Sequence, residues 1–262
     1  MNRTGPRAAL VHSVIASGLA DPTRLRSWAA DTTTLANLGI DPTTMDLEAL
    51  SKFAGLGEKV RHNRTRAMLP MTFRLLHLLG LDIDLFRAYA LSARNPGRGS
   101  APLDRVDALA GFVEDWAGDD TDRTLVRDMV RHEHALTHLQ MMDPPVDDHR
   151  DPTTRPELTP TGTLLVRQLS TDPQQLVEAL RQQHPQLSQL DRGSWTFVYQ
   201  RAAGHPIRVL GVDPAVADLL LLVGDGVSMT SLAERLRSRA DDPALVMALD
   251  QLVDAGLLTR GR

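Results

Sequence analysis

The sequence predicts an α+β protein, with a mainly helical N-terminal domain followed by a small C-terminal domain of a short β-sheet and three helices. Apolar residues recur at helical spacing through most of residues 8–141, which predicts a succession of amphipathic helices. A stretch dense in proline, aspartate and threonine follows, and beyond it short apolar runs are typical of strands. We therefore divide the chain into a helical domain at residues 1–142, a linker at 143–160 and a second domain at 161–262.

The second domain is predicted to contain a sheet of about three strands followed by three helices. Residues 195–199 and 207–210 are β-type runs separated by a glycine-containing turn, and residues 164–169 form a further candidate strand. Helix starts are predicted at Asp213-Pro214, at the capping box Ser231-x-x-Glu234 and at Asp242-Pro243. Gly224 and Gly256 are placed to end two of these helices. Strands followed by three short helices predict a winged-helix-like unit.

The dipeptide Asp-Pro is a recurrent helix start in this sequence. An aspartate side chain can cap the first free N–H groups of a helix, and proline is tolerated at the first helical position. The pair occurs at Asp21-Pro22, Asp41-Pro42, Asp172-Pro173, Asp213-Pro214 and Asp242-Pro243.

Charge and composition argue against several classes of function. The chain has 29 Lys and Arg against 33 Asp and Glu, and residues 205–262 hold eight acidic residues and six arginines. A DNA-binding module is usually basic, so nucleic acid is not expected as a partner.

There is no cysteine, which excludes disulfides and thiolate metal sites. No apolar run approaches the roughly 20 residues of a membrane span and no signal peptide is evident, so we expect a soluble, cytoplasmic protein without membrane contact.

One group of histidines suggests metal chemistry. His134 and His138 are four residues apart on a predicted helix, a spacing at which two imidazoles can share a metal. In the zinc-hydrolase pattern a glutamate follows the first histidine directly, and here Ala135 holds that place. The sequence identifies no third ligand, and His132 lies on the apolar stripe of the helix. We therefore expect no metal on this chain and no catalytic residues, with a metal-dependent hydrolase as the third and weakest alternative.

A basic cluster in the N-terminal domain is a candidate docking surface. Arg61, Arg64 and Arg66 lie at the start of a helical pattern over residues 58–80, which Pro70 should kink or break. A solvated helix face and a contact surface for a partner protein both fit this cluster.

The end of the chain resembles the PqqD-like precursor-recognition elements of peptide-modifying systems. The resemblance rests on Val212-Asp213-Pro214-Ala215, Gly224-Asp225-Gly226, Ser231-Leu232-Ala233-Glu234 and the run from Leu252 to Leu258. Over most of its length the chain is similar to the MbnC- and TglI-like partner subunits of multinuclear non-heme iron dependent oxidative enzymes. That similarity rests on Leu69-Pro70, Leu75-Leu76, residues 85–89, residues 112–116, His132-Glu133-His134 and residues 197–201.

The resemblance implies a non-catalytic subunit that binds the leader of a ribosomally made precursor peptide and presents it to a multinuclear iron enzyme. The two subunits would form a heterodimer, with the iron on the enzyme and the N-terminal domain as the docking surface. In such recognition elements the leader adds to a strand and packs against the last helix. Carried over by position, the strand contacts are Ile207, Arg208, Val209 and Leu210, and the groove residues are Leu245 and Leu249.

Two questions stay open at this point. Leu245 and Leu249 fit an ordinary core position as well as a groove. Arg208 is expected to face solvent and meet an acidic leader residue, so that its charge could be reversed without harm to the fold. The alternative function, from a different class, is a winged-helix transcriptional regulator that binds DNA.

Overall fold

The computed structural model describes residues 6–20, 22–92, 101–142 and 157–261. These residues form an α+β protein in which helices predominate and the strands are few and short. The chain divides into two compact units, Met1–His134 and Ala135–Arg262, with the division inside a helix. The sequence places the end of the first domain at residue 142.

The first unit is helical in its described part. Its helices are α1 (Pro6–Ala20), α2 (Pro22–Ala30), α3 (Thr33–Asn37), α4 (Leu47–Arg61), α5 (Pro70–Leu78), α6 (Asp82–Ala90), α7 (Pro102–Ala117) and the greater part of α8 (Thr121–Met141). The predicted pattern over residues 58–80 is broken, as Pro70 required: α4 ends at Arg61, and Pro70 is the first residue of α5.

In its described residues, the second unit contains the strands and the four helices that follow α8. They are β1 (Leu158–Pro160), β2 (Thr163–Thr171), α9 (Pro173–Arg181), β3 (Arg192–Arg201), β4 (Arg208–Val212), α10 (Pro214–Val223), α11 (Met229–Leu236), α12 (Pro243–Asp254) and β5 (Leu258–Arg260). Strands β2, β3 and β4 form the predicted antiparallel sheet, in that order. Strands β1 and β5 form a second antiparallel pair, so strand structure begins inside the stretch predicted as linker. Residues 143–156 of that stretch lie outside the described residues.

The Asp-Pro prediction is confirmed wherever its residues are described. The aspartate side chain accepts from a backbone N–H two residues later at Asp41, Asp172, Asp213 and Asp242. Three of these caps start α9, α10 and α12, and Asp41 starts a single 3₁₀ turn. Asp21 lies outside the described residues.

The predicted start of α11 is wrong by three residues. The helix begins at Met229, and its cap is Ser228, whose Oγ accepts from the N–H of Ser231 at 3.2 Å. Ser228 has the extended backbone of a capping residue, and the helix therefore starts three residues earlier than the pattern at Ser231 predicts. The glycine predictions hold: Gly224 follows α10 with φ 55°, and Gly256 follows the end of α12 with φ 70°.

A buried carboxylate takes the place of a local cap at the start of α5. Leu69, the residue before the helix, offers no capping side chain. Glu133 of α8 lies against this end, and its two carboxylate oxygens accept from the N–H of Met71 at 2.8 Å and of Thr72 at 2.7 Å. The negative charge therefore meets the positive end of the α5 dipole. Burial raises the pKa of Glu133 above its ordinary value, and the two backbone hydrogen bonds oppose that rise.

The raised pKa of Glu133 predicts a specific pH dependence of stability. Because the fold favours the protonated form, the free energy of unfolding should fall as pH rises from the unfolded-state value near 4.5 through the higher folded-state pKa. A Glu133→Gln protein should lack this fall, and a Glu133→Ala protein should lose about 1–3 kcal/mol because two buried N–H groups lose their acceptor. Urea unfolding between pH 4 and 8, roughly the range of carboxyl titration, tests both. Parallel curves for the wild-type and Gln proteins would contradict this account of Glu133.

The sheet of the second unit is buried on both faces. Val198 of β3 packs with residues of α10, α11 and α12 in one apolar cluster. Phe197 and Tyr199, on the other face, pack with Ala135 and Leu139 in the last turns of α8. The central strand β3 is accordingly buried from residue 196 to residue 200. Because both faces of the sheet are packed against helices, its accessible backbone groups lie along its edges.

Candidate functional site

Strand β4 is an edge of the three-stranded sheet. It pairs with β3 in the register Tyr199↔Val209 and Val198↔Leu210, and no other described strand pairs with it. Along an antiparallel edge strand, alternate residues direct their N–H and C=O groups to the neighbour or outward. The outward groups of β4 can therefore form a ladder with an added strand.

The side chains of β4 divide between the two covers of the sheet. Val209 packs with Ile207 in the cluster that contains Phe197 and Tyr199. Leu210 packs in the opposite cluster, against the helices α10 to α12. Ile207, Val209 and Leu210 are only half-buried, so the edge offers apolar side chains on both sides of its backbone.

Arg208 is tied to the end of α12. Its Nη1 donates to the carbonyl oxygen of Ala255 at 3.2 Å and to Oε1 of Gln200 at 3.3 Å. Gln200 is buried, and its Nε2 donates to the carbonyl oxygens of Thr161 at 2.9 Å and Gly256 at 2.7 Å. The network joins β3, β4 and the C-terminal end of α12, where a cation is favourable. Sequence reasoning missed Gln200, because a single polar residue in a strand can face either side of the sheet.

This network corrects the expectation for Arg208. The residue is exposed as predicted, but its guanidinium donates a hydrogen bond to the C-terminal end of α12, so it also contributes to the fold. Reversing its charge would set a carboxylate against the negative end of α12.

The two leucines predicted to form a groove lie in the core. Leu249 is fully buried and Leu245 is 8% exposed, both in the cluster between the sheet and the helices. The exposed apolar residue of the same helix is Met247, at 61%.

The predicted docking arginines are only partly described. The side chains of Arg61 and Arg64 lie outside the described residues, and Arg66 is exposed with its guanidinium 5.6 Å from the ring centroid of Phe73. No contact in the described part distinguishes Arg66 as a docking residue.

Helix α4 has an exposed apolar face that the sequence pattern missed. Phe53, Leu56 and Val60 are 61%, 45% and 59% exposed, at a spacing that places them on one side of the helix. Leu50 and Ala54 of the same helix are buried, whereas Phe53, between them in sequence, points to solvent. Periodicity alone could not separate an exposed apolar face from the buried one beside it.

That face is held firmly by the packing behind it. Gly55 lies so close to α6 that a β-carbon there would be 2.6 Å from the Cα of Arg87. The helices α4 and α6 thus approach at backbone distance, and Lys59 of α4 forms an ion pair with Asp82 of α6.

The histidines of α8 have different surroundings. His132 is 7% exposed, in keeping with its place on the apolar stripe, and Glu133 is held at the start of α5. Nε2 of His134 lies 2.9 Å from Oδ1 of Asp107 on α7. His138 follows His134 by one helical turn.

Comparison with known proteins adds no family: no protein-family model and no curated protein matches the chain. Among the described helices, none combines the length and the apolar character needed to cross a bilayer.

The contact between Arg208 and α12 gives a prediction for stability. An Arg208→Glu protein should unfold at a lower temperature than wild type, because the new charge repels the terminal carbonyl groups of α12. An Arg192→Glu protein, altered at an exposed residue of the same sheet, is the matched control and should unfold at nearly the wild-type temperature. Thermal unfolding followed by circular dichroism measures both. Equal losses in the two variants would show that the contact with Ala255 contributes nothing particular.

Proposed function

We propose that this chain is a non-catalytic subunit that binds the leader of a ribosomally made precursor peptide and presents it to a multinuclear iron enzyme. The observation that supports this most directly is the open edge of β4, with half-buried apolar side chains on both sides of its backbone. The enzyme would hold the iron and the catalytic residues, and the two chains would form a heterodimer.

The arrangement of the second unit supports a PqqD-like recognition element. Three antiparallel strands are followed by α10, α11 and α12, which is the order of a winged-helix-like unit. In recognition elements of this kind the leader adds to the strand that precedes the helices. Here that strand is β4, and Arg208 links it to the last helix.

Strand addition suits a leader peptide for a physical reason. Backbone hydrogen bonds supply affinity whatever the side chains are, and alternate side chains of the added strand supply selectivity. Next to β4 those side chains would meet Val209 on one side and Leu210 on the other. Leu245 and Leu249 would contribute indirectly, as core residues that support β4. Met247 is the exposed large apolar residue of α12.

The apolar face of α4 is the proposed docking surface for the enzyme subunit. Exposed Phe53, Leu56 and Val60 form a continuous row on a helix that cannot shift easily, because Gly55 packs against α6. Phenylalanine is enriched at the cores of protein interfaces, and burial of all three apolar side chains would contribute to the free energy of binding. The basic residue Arg66 lies beyond the end of α4, and an acidic rim on the partner would complement it.

The alternative function is a DNA-binding regulator, and one observation favours it. Arg235, Arg237 and Arg239 are exposed at the end of α11, the helix that would enter the major groove in a winged-helix protein. Two of them are engaged: Arg235 donates to the carbonyl oxygen of Leu222 at 2.7 Å, and Arg239 forms an ion pair with Asp241 at 2.9 Å. Salt-sensitive, sequence-specific retention of a DNA duplex would favour this alternative over peptide binding.

Two adjacent proline variants test the peptide site. Val209→Pro and Leu210→Pro each remove one N–H, and because directions alternate, one N–H points to β3 and the other points outward. The variant that loses the outward N–H should keep its stability and bind a fluorescent leader peptide about tenfold more weakly. The other variant should lose stability, and it serves as the control. Unchanged leader affinity in the stable variant would contradict strand addition at β4.

Docking is tested by substitutions on α4. Phe53→Asp and Val60→Asp should weaken binding of the iron enzyme by about 2 kcal/mol or more, since each charge would have to be buried in the interface. Leu38→Asp alters an exposed apolar residue, 44% exposed, outside this face and is the matched control. Co-purification and titration calorimetry with the full-length chains measure the effect. Equal weakening in all three variants, or none in the α4 pair, would remove docking from this face.

A further inference from the structure

Helices α1, α2 and α3 line an open cavity in the first unit. Its volume is about 480 Å³, within the roughly 300–1,000 Å³ typical of sites that bind small molecules. Apolar side chains, hydroxyl groups and one guanidinium contribute to its lining. Sites for small organic ligands have this composition, with an apolar wall and a few polar groups that fix the orientation of the ligand.

The apolar wall of the cavity is held in place by close packing of α1 against α2. Trp28 is 3% exposed and packs in the apolar core of these helices with Val14 and Leu25. A β-carbon at Gly18 of α1 would collide with the ring of Trp28, so the ring lies directly against the backbone of α1. The wall is therefore preformed, and binding a ligand needs little rearrangement of it.

Arg24 supplies the guanidinium of the cavity. Its Nη1 donates to Oγ of Ser17, which joins α2 to α1 and holds the guanidinium at the cavity. A guanidinium has five N–H donors in one plane and can bind an oxyanion with two of them. The hydroxyl groups of Ser13 and Thr34 are further donors in the same lining.

The charge of these helices favours an anion. Together α1, α2 and α3 contain three arginines and no acidic residue, although the whole chain has a net charge of −4. Of the neighbouring acids, Asp21 lies outside the described residues. Asp31 accepts from the N–H of Thr33 at 2.9 Å and from its hydroxyl at 2.7 Å. Positive charge in a cleft with apolar walls raises the local concentration of anions.

We infer that this cavity binds a small organic anion, a carboxylate or a phosphate monoester with an apolar body. The oxyanion would bind Arg24, and the apolar body would lie against Trp28 and Leu38. Leu38 is 44% exposed, so covering it removes apolar surface from water. The inference does not depend on peptide binding at β4, and it assigns a small-molecule ligand to the first unit.

Titration of the full-length chain with benzoate and with phenyl phosphate, followed by NMR, tests the site. The chain has three tryptophans, and Trp116→Phe and Trp195→Phe proteins identify the indole N–H signal of Trp28. Either anion, at millimolar concentration, should shift the Trp28 signal in a saturable way and leave the other two signals unchanged. The anion that binds more tightly identifies the oxyanion. Benzyl alcohol, a neutral molecule of similar size, should bind at least about tenfold more weakly.

Substitution of Arg24 separates recognition of an anion from simple filling of the cavity. Arg24→Gln removes the charge but keeps an N–H that can donate to Ser17, so it should weaken binding of the anion about tenfold. Circular dichroism should show that this variant is folded like wild type. Arg181→Gln is the matched control, because it removes one positive charge from a side chain of the second unit that is 64% exposed. It should leave the affinity unchanged.

The proposal fails if neither anion shifts the Trp28 signal in a saturable way. It also fails if benzyl alcohol binds wild type as tightly as the anions do, or if the folded Arg24→Gln protein keeps the wild-type affinity for them. Equal weakening in Arg24→Gln and Arg181→Gln would overturn it too, since the effect would then come from the net charge of the protein.

Discussion

The second unit depends on the burial of strand β3. Both its edges pair with neighbouring strands, and its side chains at residues 196–200 are buried. Val198 faces the helices α10 to α12, and Phe197 and Tyr199 face the last turns of α8. A sheet covered on both faces has no face left for a partner. In the part of the chain that the structure describes, the unpaired backbone of this sheet lies along its edges, and β4 is one of the two edge strands.

Hydrogen bonds around Gln200 hold the edge strand β4 in a fixed position relative to the end of α12. A buried amide must have its hydrogen bonds satisfied, and Gln200 meets that need with carbonyl groups beside β1 and at the end of α12. Arg208 adds a bond from β4 to the same helix end. The separation between β4 and the end of α12 is therefore held by hydrogen bonds as well as by apolar packing. A peptide added to β4 would meet a preorganised surface, which lowers the entropic cost of binding.

The N-terminal unit shows the same use of a distant polar group. Helix α5 starts at Pro70, directly after the apolar residue Leu69, which offers no capping side chain. Its free N–H groups are satisfied by Glu133, which lies more than 60 residues later in the chain. The raised pKa of that carboxyl reflects the cost of burying it. The cap thus fixes α8 against the start of α5.

Local signals in the sequence predict the helix boundaries well. Asp-Pro pairs set the starts of α9, α10 and α12, and Gly224 and Gly256 follow the ends of α10 and α12, because each effect involves neighbouring residues. The β1–β5 pair was missed, since its strands have three residues each and are 100 residues apart. Such pairing leaves no periodic pattern in the sequence.

The candidate site was predictable as an edge strand but not in its details. The hairpin and the third strand locate β4 at the edge. An apolar stripe has the same period whether it lines a groove or a core, so Leu245 and Leu249 could not be assigned to the core in advance. The bonds of Arg208 and the proximity of Asp107 to His134 both depend on tertiary packing. Contacts between residues so far apart in the chain leave no signal in the local sequence pattern.

Amide hydrogen exchange of the full-length chain, with and without its leader peptide, tests the central claim most directly. An added strand would protect the outward N–H groups of β4, so we predict that exchange within residues 207–212 slows by roughly tenfold or more at saturation. Exchange in α4 should not change, because docking is assigned to a different partner. Unchanged exchange in β4, with protection by the leader appearing in another element, would contradict the account.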